Sequence, residues 1–417
     1  MSAARARRVG SSDVTRTLRP DGVEIVVNRE ALGPYPDRLT DCLEHWAQER
    51  PEQIFLAERS RDGWRTLAYA EALRSVRSIA QALAGRNVDA ERGVAVLSEN
   101  GIDHALLNLA AQYAGVPYAP VSASYSLVSK DFAKLRDVLG NFGPGLVFAD
   151  DGTRYGDALR AAVPRDVEVV VSHSPGERES TAFAALVGTV PGASLERAHA
   201  AVNADTIAKV LYTSGTTGAP KGVTCTQRML CSNAQMFGQI YPVVQNQPPV
   251  VLDWLPWNHT FGGNQNFDVV LYYGGTLYVN DGKPTPALAE RTRRNLHDVS
   301  PTIYFDVPKG YELLARFLRE DAALCEHFFR RLDLMEYAGA GMSRPVWDEL
   351  LRLAREASAE VLISTSLGST ETGPMALAAP FLAEGPGYVG VPVPGVELKL
   401  VPNGTKSELR LRSPSIT

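Results

Sequence analysis

The chain has 417 residues, 45% of them hydrophobic, enough for a large core and more than one layered unit. Its 42 Lys and Arg against 47 Asp and Glu leave a net charge of -5, which argues against a nucleic-acid partner. No apolar run is long enough to cross a bilayer, and the scattered Cys42, Cys225, Cys231 and Cys325 lack metal-ligand spacing, so they read as buried, reduced thiols of a cytoplasmic protein.

The first twenty residues, MSAARARRVGSSDVTRTLRP, are Arg-rich and nearly free of acids. They lack the apolar segment of a secretory signal; a transit peptide would share the composition, and a flexible basic arm through residue 33 is the plainer expectation. After it, apolar strands alternate with amphipathic helices. Residues 39–47 read as a helix stopped by Pro51, and 54–59 as a strand. Leu73, Val76, Ile79, Ala80 and Leu83 fall at helical spacing within 69–83. Strands are expected at 93–97, 118–121, 146–149 and 167–172, with helices at 102–115 and near 130–139. Further on, strands are expected at 208–212, 250–254, 276–279, 302–305, 334–337 and 360–364, and helices at about 261–273, 286–298, 308–319 and 343–357.

This alternation predicts an α/β fold: two layered α/β subdomains with largely parallel sheets, over residues 34–384. From Gly385 the pattern changes to period two, in GYVGVPVPGVELKLV and then SELRLRS, so 385–417 reads as the beginning of a small antiparallel β-barrel subdomain.

One loop carries unusual chemistry. YTSGTTGAPKGV, residues 212–223, follows the strand AKVLY. Gly215, Gly218 and Gly222 let backbone N–H groups approach phosphate oxygens closely. Thr213, Ser214, Thr216 and Thr217 add hydroxyls, and Lys221 a mobile positive charge. A surface linker would share the composition, but linkers are seldom bracketed by apolar strands. The P-loop of nucleoside triphosphatases is excluded, because Pro220 precedes the lysine.

The loop resembles the signature loop of the adenylate-forming enzymes, the family of acyl-CoA synthetases, luciferases and peptide-synthetase adenylation domains. The resemblance implies that residues 213–218 and Lys221 hold the phosphates of ATP. Three further segments follow in the family's order. LPWNHTFGGNQNF (255–267) sets His259 among Trp257, Phe261, Gly262 and Gly263. A core histidine would look the same alone; by resemblance His259, Phe261 and Gly262 line the acyl pocket, and the wording of this segment is similar to the feruloyl-CoA synthetase branch, whose acids are hydroxycinnamates. YAGAGMS (337–343) offers Ala338, Gly339, Ala340 and Gly341, small enough to let a flat ring lie on the backbone, while Ser343 can cap the next helix. By resemblance these four border the adenine, with Gly339 and Gly341 facing the acyl group.

SLGSTETG (366–373) is the last of them, and alone it could be a polar turn. The resemblance brings Leu367, Gly368, Ser369 and Thr370 to the nucleotide, gives Thr370 the α-phosphate, and makes Glu371, with Thr216, a magnesium ligand. The family pattern usually begins there with an aromatic residue that stacks on adenine, and this chain has Leu367 instead. GYVGVPVPG (387–395) matches the segment that follows.

The resemblance implies an AMP-forming acid–CoA ligase using ATP, Mg²⁺ and coenzyme A, with catalytic roles for Lys221, Thr370, Glu371 and His259 and a small aromatic acid as partner. In the family a ribose-binding aspartate, a hinge and a small C-terminal domain with a catalytic lysine follow SELRLRSPSIT, and none can be named in this sequence. The chain is therefore expected to be the large N-terminal domain, binding ligands better than it turns them over. Adenylation for a carrier protein, fatty acyl-CoA synthesis and a non-catalytic acyl or nucleotide sensor stay open, as does the oligomeric state.

Overall fold

The structure, a computed structural model, describes residues 9–214, 218–381 and 383–417. It is a mixed α/β protein with four sheets, of seven, five, four and four strands, one of the four-stranded sheets being wholly antiparallel. The first large sheet has seven strands in the order Pro220–Thr226, Ile207–Ser214, Tyr118–Pro120, Val94–Leu97, Leu146–Asp151, Glu168–His173, Thr181–Ala182. Its centre is parallel, and the strand Val94–Leu97 shows why a continuous apolar run is needed there. Val94 and Val96 face one core with helices Tyr69–Ala84 and Ile102–Tyr113, while Ala95 and Leu97 face another with Ala133–Phe142 and Gly156–Ala162. Side chains alternate between faces along a strand, so burial on both demands apolar residues at every position.

The second layered unit repeats that logic. Strands Val250–Asp253, Thr276–Val279, Ile54–Ser60 and Gly63–Ala68 form one sheet; Ile303–Asp306, Leu334–Tyr337, Leu362–Gly368, Met375–Ala378 and Val391–Pro392 form the next. The two are tied where Thr302 N–H donates to Val250 O at 2.9 Å. Ile303, Phe305, Leu334 and Leu362 turn toward the core shared with the first sheet. Tyr304, Met335 and Ile363 turn toward helices Pro308–Glu320 and Arg344–Glu356.

Four expectations need correction. The N-terminal stretch is not a loose arm through residue 33: Val14–Leu18 and Glu24–Asn28 form a hairpin, and the second strand pairs with Glu397–Asn403. Val26 and Leu398 are both buried at that junction, so burial fixes a pairing between segments remote in sequence. The boundary at 385 also moves, because Val391–Pro392 belongs to the mixed sheet and only Glu397–Asn403 and Lys406–Arg412 build the antiparallel one. The helix expected at 261–273 begins as a π-helix, Phe261–Asn266, and becomes α-helical only at Phe267–Tyr272. Lastly, a fourteen-residue helix, Gln227–Ile240, follows the signature hairpin. Among the described residues no helix is long and apolar enough to cross a membrane.

Candidate active site

The signature segment is a β-hairpin. Ile207–Ser214 pairs antiparallel with Pro220–Thr226, setting Thr213 opposite Lys221 and Ser214 opposite Pro220. Its tip residues Gly215, Thr216 and Thr217 lie outside the described residues. Gly218 has φ of +89°, which favours glycine. Lys221 sits exposed on the edge strand and forms no salt bridge among the described residues.

The base of the hairpin is pinned from inside. Lys209, 1% exposed, donates from Nζ to Gly263 O at 2.8 Å and to Asp268 Oδ1 at 3.0 Å. Cys225, fully buried on the other strand, accepts from Asn264 Nδ2 at 3.5 Å. Burial pushes that thiol up to about 11, so it stays protonated and structural. Both contacts join the hairpin to the π-helix that carries the second motif.

The π-turn has a steric origin. A Cβ at Gly262 would lie 2.4 Å from Leu255 O, and one at Gly263 2.3 Å from Trp257 O. The paired glycines therefore let residues 255–257 pack directly on the turn, and Asn100 holds that loop by accepting from Trp257 N–H and donating to Leu255 O. Gly262 is thus spent on backbone approach. Such turns recur at functional sites. His259 stands at the mouth of this loop, open to solvent, with Nδ1 accepting from Phe261 N–H at 3.3 Å. The surrounding protein lowers its pKa, so the ring is neutral with its proton on Nε2. Phe261 is 5% exposed and packs edge-on against Phe305.

The other two motifs lie at the carboxyl ends of neighbouring parallel strands, where ligands gather in layered α/β folds. Tyr337 and Thr365 are register partners, and Thr365 Oγ1 donates to Tyr337 O at 2.8 Å. Beyond Tyr337, Gly339, Ala340 and Gly341 are exposed and Ala338 is half-buried. Among the described residues, a Cβ at Gly339 or Gly341 would meet no atom within 4 Å. Ser343 occupies the N-cap position of Arg344–Glu356 without donating or accepting a capping bond. Beyond Thr365, Leu367 is 38% exposed and Ser369 and Thr372 bracket a 3₁₀ turn holding Thr370 and Glu371. At Gly368 a Cβ would lie 1.5 Å from Pro374 O, so this position is closed to every other residue. The turn packs on the hairpin strand Pro220–Thr226. Thr370 is buried, whereas the Glu371 carboxylate is partly exposed and has no hydrogen-bond or ion-pair partner among the described residues. An unengaged carboxylate beside a phosphate-type loop fits a hard divalent cation.

Beneath the strand ends is a polar layer that the sequence reading missed. Glu336 is fully buried; its Oε2 accepts from Gln265 Nε2 of the π-helix at 2.9 Å, the Ser366 side chain lies beside the carboxyl, and Oε1 makes no hydrogen bond among the described residues. Asp306 accepts from Trp254 Nε1 at 3.0 Å, and buried Asp253 lies one strand away with Oδ2 unpartnered. Burial raises Glu336, Asp253 and Asp306 each to about 7. A charged residue inside an apolar run such as LMEY was the available signal.

These carboxyls set a pH dependence. Between their unfolded values near ~4 and their folded values near 7, the folded chain holds protons the unfolded chain has released. Stability is therefore expected to fall as pH rises from ~4 to ~7 and to level off above, one pKa unit being worth about 1.4 kcal/mol. Thermal unfolding from pH 5 to 8 checks this: Asp253→Asn should flatten the slope, and an unchanged slope would remove Asp253 from the account.

Hairpin, glycine segment and carboxylate turn lie in an α/β protein, the latter two at the carboxyl ends of neighbouring parallel strands. The chain belongs to the AMP-binding enzyme family, whose model matches residues 43–416. It is 28% identical over 251 residues to a methyl-dioxo-octahydroindenyl-propanoyl:CoA ligase of Rhodococcus jostii, covering 58% of this chain and 47% of that protein. Over 213 residues it is 29% identical to the mitochondrial malonate–CoA ligase of Homo sapiens, covering 48% of this chain and 35% of that protein. The matched stretch spans less than half the length of either relative. Among solved structures, a benzoate CoA ligase from Burkholderia xenovorans LB400 superposes with TM-score 0.74 at 22% identity, covering 91% of this chain and 72% of that one. The anthranilate CoA ligase AuaEII in complex with anthranoyl-AMP gives TM-score 0.73 at 19% identity, covering 92% and 70%. The fold is that of these ligases.

Proposed function

We propose that this chain is the nucleotide- and acid-binding part of an AMP-forming acid–CoA ligase, and that its acid is a small aromatic carboxylate of the hydroxycinnamate type. The observation that carries the reading is the open glycine cradle at 339–341, set beside a strand-end turn whose Glu371 is unengaged among the described residues. The cradle accepts flat rings on bare backbone. The exposed Lys221 and the hydroxyls of Thr213 and Ser214 hold the terminal phosphates, and the Thr370 hydroxyl faces the α-phosphate.

In the first step an oxygen of the acid's carboxylate attacks the α-phosphorus and pyrophosphate leaves with the electrons of the broken P–O bond. The protein contributes positioning and charge stabilisation. Neutral His259 donates from Nε2 toward the reacting carboxylate. Mg²⁺, when bound by Glu371 with Thr216, neutralises phosphate charge. In the second step the thiolate of coenzyme A attacks the acyl carbonyl and AMP leaves.

The aromatic assignment rests on the flat cradle and on the buried Glu336 of the strand that leads into it, whose Oε1 makes no hydrogen bond among the described residues. A buried acceptor suits a ring hydroxyl and disfavours an alkyl chain, because a polar group left unpaired is costly. Relatives acting on malonate and a neighbour carrying anthranoyl-AMP mark the range to be tested. Acid-dependent ATP–pyrophosphate exchange by the whole protein, over hydroxycinnamates, unsubstituted cinnamate, benzoate, malonate and a long-chain acid, should favour the hydroxycinnamates. Glu336→Leu should erase the preference for the hydroxylated over the unsubstituted cinnamate. Preference for malonate or the long-chain acid would overturn the substrate class and leave adenylation standing.

A further inference from the structure

Away from the strand ends, three side chains converge on one point. Asp41 and Glu44 lie one turn apart on helix Leu39–Glu49, and His199 projects from helix Ala193–Ala201. One ligand-type atom from each lies within 4.8 Å of the other two. His199 is 7% exposed and its ring stacks on Tyr113, centroids 3.6 Å apart and planes nearly parallel.

The imidazole is set up as a metal ligand. Its Nδ1 lies 3.1 Å from Tyr113 O, and a carbonyl oxygen only accepts, so Nδ1 bears the proton. Nε2 then presents a lone pair, and that buried atom has no hydrogen-bond partner among the described residues. Glu44 Oε1 faces it at 3.6 Å, too far for a hydrogen bond. Two bonds of the length zinc makes to nitrogen and oxygen, at a tetrahedral angle, separate their ligand atoms by about 3.4 Å. Burial, helped by the nearby Arg38 charge, lowers the His199 pKa and keeps the ring unprotonated.

The candidate ligands are held from behind, as ligands in metal centres are. Tyr113 OH donates to Glu44 Oε1 at 2.6 Å and itself accepts from Arg77 Nη1. Arg38 donates to Asp41 Oδ1 at 2.7 Å and to His199 O at 2.9 Å, leaving Asp41 Oδ2 for an ion. We propose that Asp41, Glu44 and His199 form a binding site for a divalent transition-metal ion of the zinc type, with solvent in its open position. Arg38 offsets one of the two carboxylate charges, so affinity depends on the imidazole, which favours Zn²⁺, Co²⁺ or Ni²⁺ over Mg²⁺ and Ca²⁺. The ion staples helix 39–49 to helix 193–201. The first of these also donates from Leu39 N–H to Gln227 Oε1 at 2.9 Å, at the start of the helix that follows the signature hairpin. The site therefore braces the hairpin's base and takes no part in adenylation.

Chelator-treated protein titrated with Co²⁺, followed by visible absorption, tests this, with Zn²⁺ calorimetry and melting curves alongside. One equivalent of either ion should bind and raise the melting temperature, and Mg²⁺ should do neither. Asp41→Asn and Glu44→Gln keep side-chain volume and should abolish both the Co²⁺ band and the metal-induced rise in melting temperature. Absence of binding by wild-type protein would overturn the proposal whatever the variants do. Binding unchanged in both variants would place the ion elsewhere and overturn it equally, and competition by Mg²⁺ at equal concentration would refute the zinc-type assignment.

Discussion

Lys209→Met is expected to lower the folding stability by about 3–5 kcal/mol, the range for breaking a fully buried ion pair from one side. Asp268 has no exposure at all, and Lys209 is its only charged partner among the described contacts. Burial raises Asp268 to about 6 against the pull of Lys209, so above that pH its lone charge would have to stay buried or force a proton onto itself. The lysine also donates to Gly263 O, so the variant loosens the hairpin strand from the π-helix. Denaturant unfolding at pH 8 measures the loss. Lys209→Met with Asp268→Leu should recover most of it, since apolar pairs of similar volume replace buried ion pairs at little cost. A single-variant loss below about 1 kcal/mol, the range of exposed pairs, would contradict the assigned role.

The second large effect is functional and leaves stability alone. Glu371→Gln should slow adenylation by the whole protein about 10²–10³-fold, the scale for removing one well-placed electrostatic group. The carboxylate is partly exposed and unengaged among the described residues, and its neighbours Ser369 and Thr372 hold the turn through each other. The melting temperature should therefore match the wild type. The loss should show as a weakened dependence on Mg²⁺ in pyrophosphate exchange. Unchanged exchange with unchanged magnesium dependence would remove Glu371 from the site.

Much of the scaffold is legible because burial on both faces writes itself as apolar runs. TLYV and LMEY form strands over the expected residues, Thr276–Val279 and Leu334–Tyr337. Where tertiary contacts decide, local pattern fails. The hairpin strand Gly63–Ala68 is half exposed, and no expected element covers it. Gln227–Ile240 hides because it buries polar residues: Gln227 and Asn233, whose partners come from remote segments, and Ser232, which bonds within the helix to Met229 O. The pairing of Glu24–Asn28 with Glu397–Asn403 spans nearly the whole chain, and neither strand alone names its partner.

The site divides the same way. Small residues at 338–341 and the polar turn at 369–371 read as ordinary turns by residue type alone, and only the family resemblance makes them candidates for a ligand surface. Gly262 and Gly368 serve differently from the expectation, since the space a side chain would need is filled by backbone at Leu255 and Pro374. Glu336 is the clearest omission: its buried, half-satisfied carboxyl depends on Gln265, seventy-one residues earlier.

The central claim is that hairpin, cradle and carboxylate turn together form a site for an acyl-adenylate. Calorimetric titration of the chain with stable, non-hydrolysable acyl-adenylate mimics tests it without requiring chemistry. The panel would hold hydroxycinnamoyl, benzoyl, malonyl and long-chain members, each run against wild type and Gly341→Val. Among the described residues no atom lies within 4 Å of a Cβ at Gly341, so valine there is expected to occupy the cradle and leave the fold intact. One-to-one binding led by the hydroxycinnamoyl mimic and abolished by Gly341→Val is the predicted result. Absence of binding by every member, or binding indifferent to Gly341→Val, would contradict it.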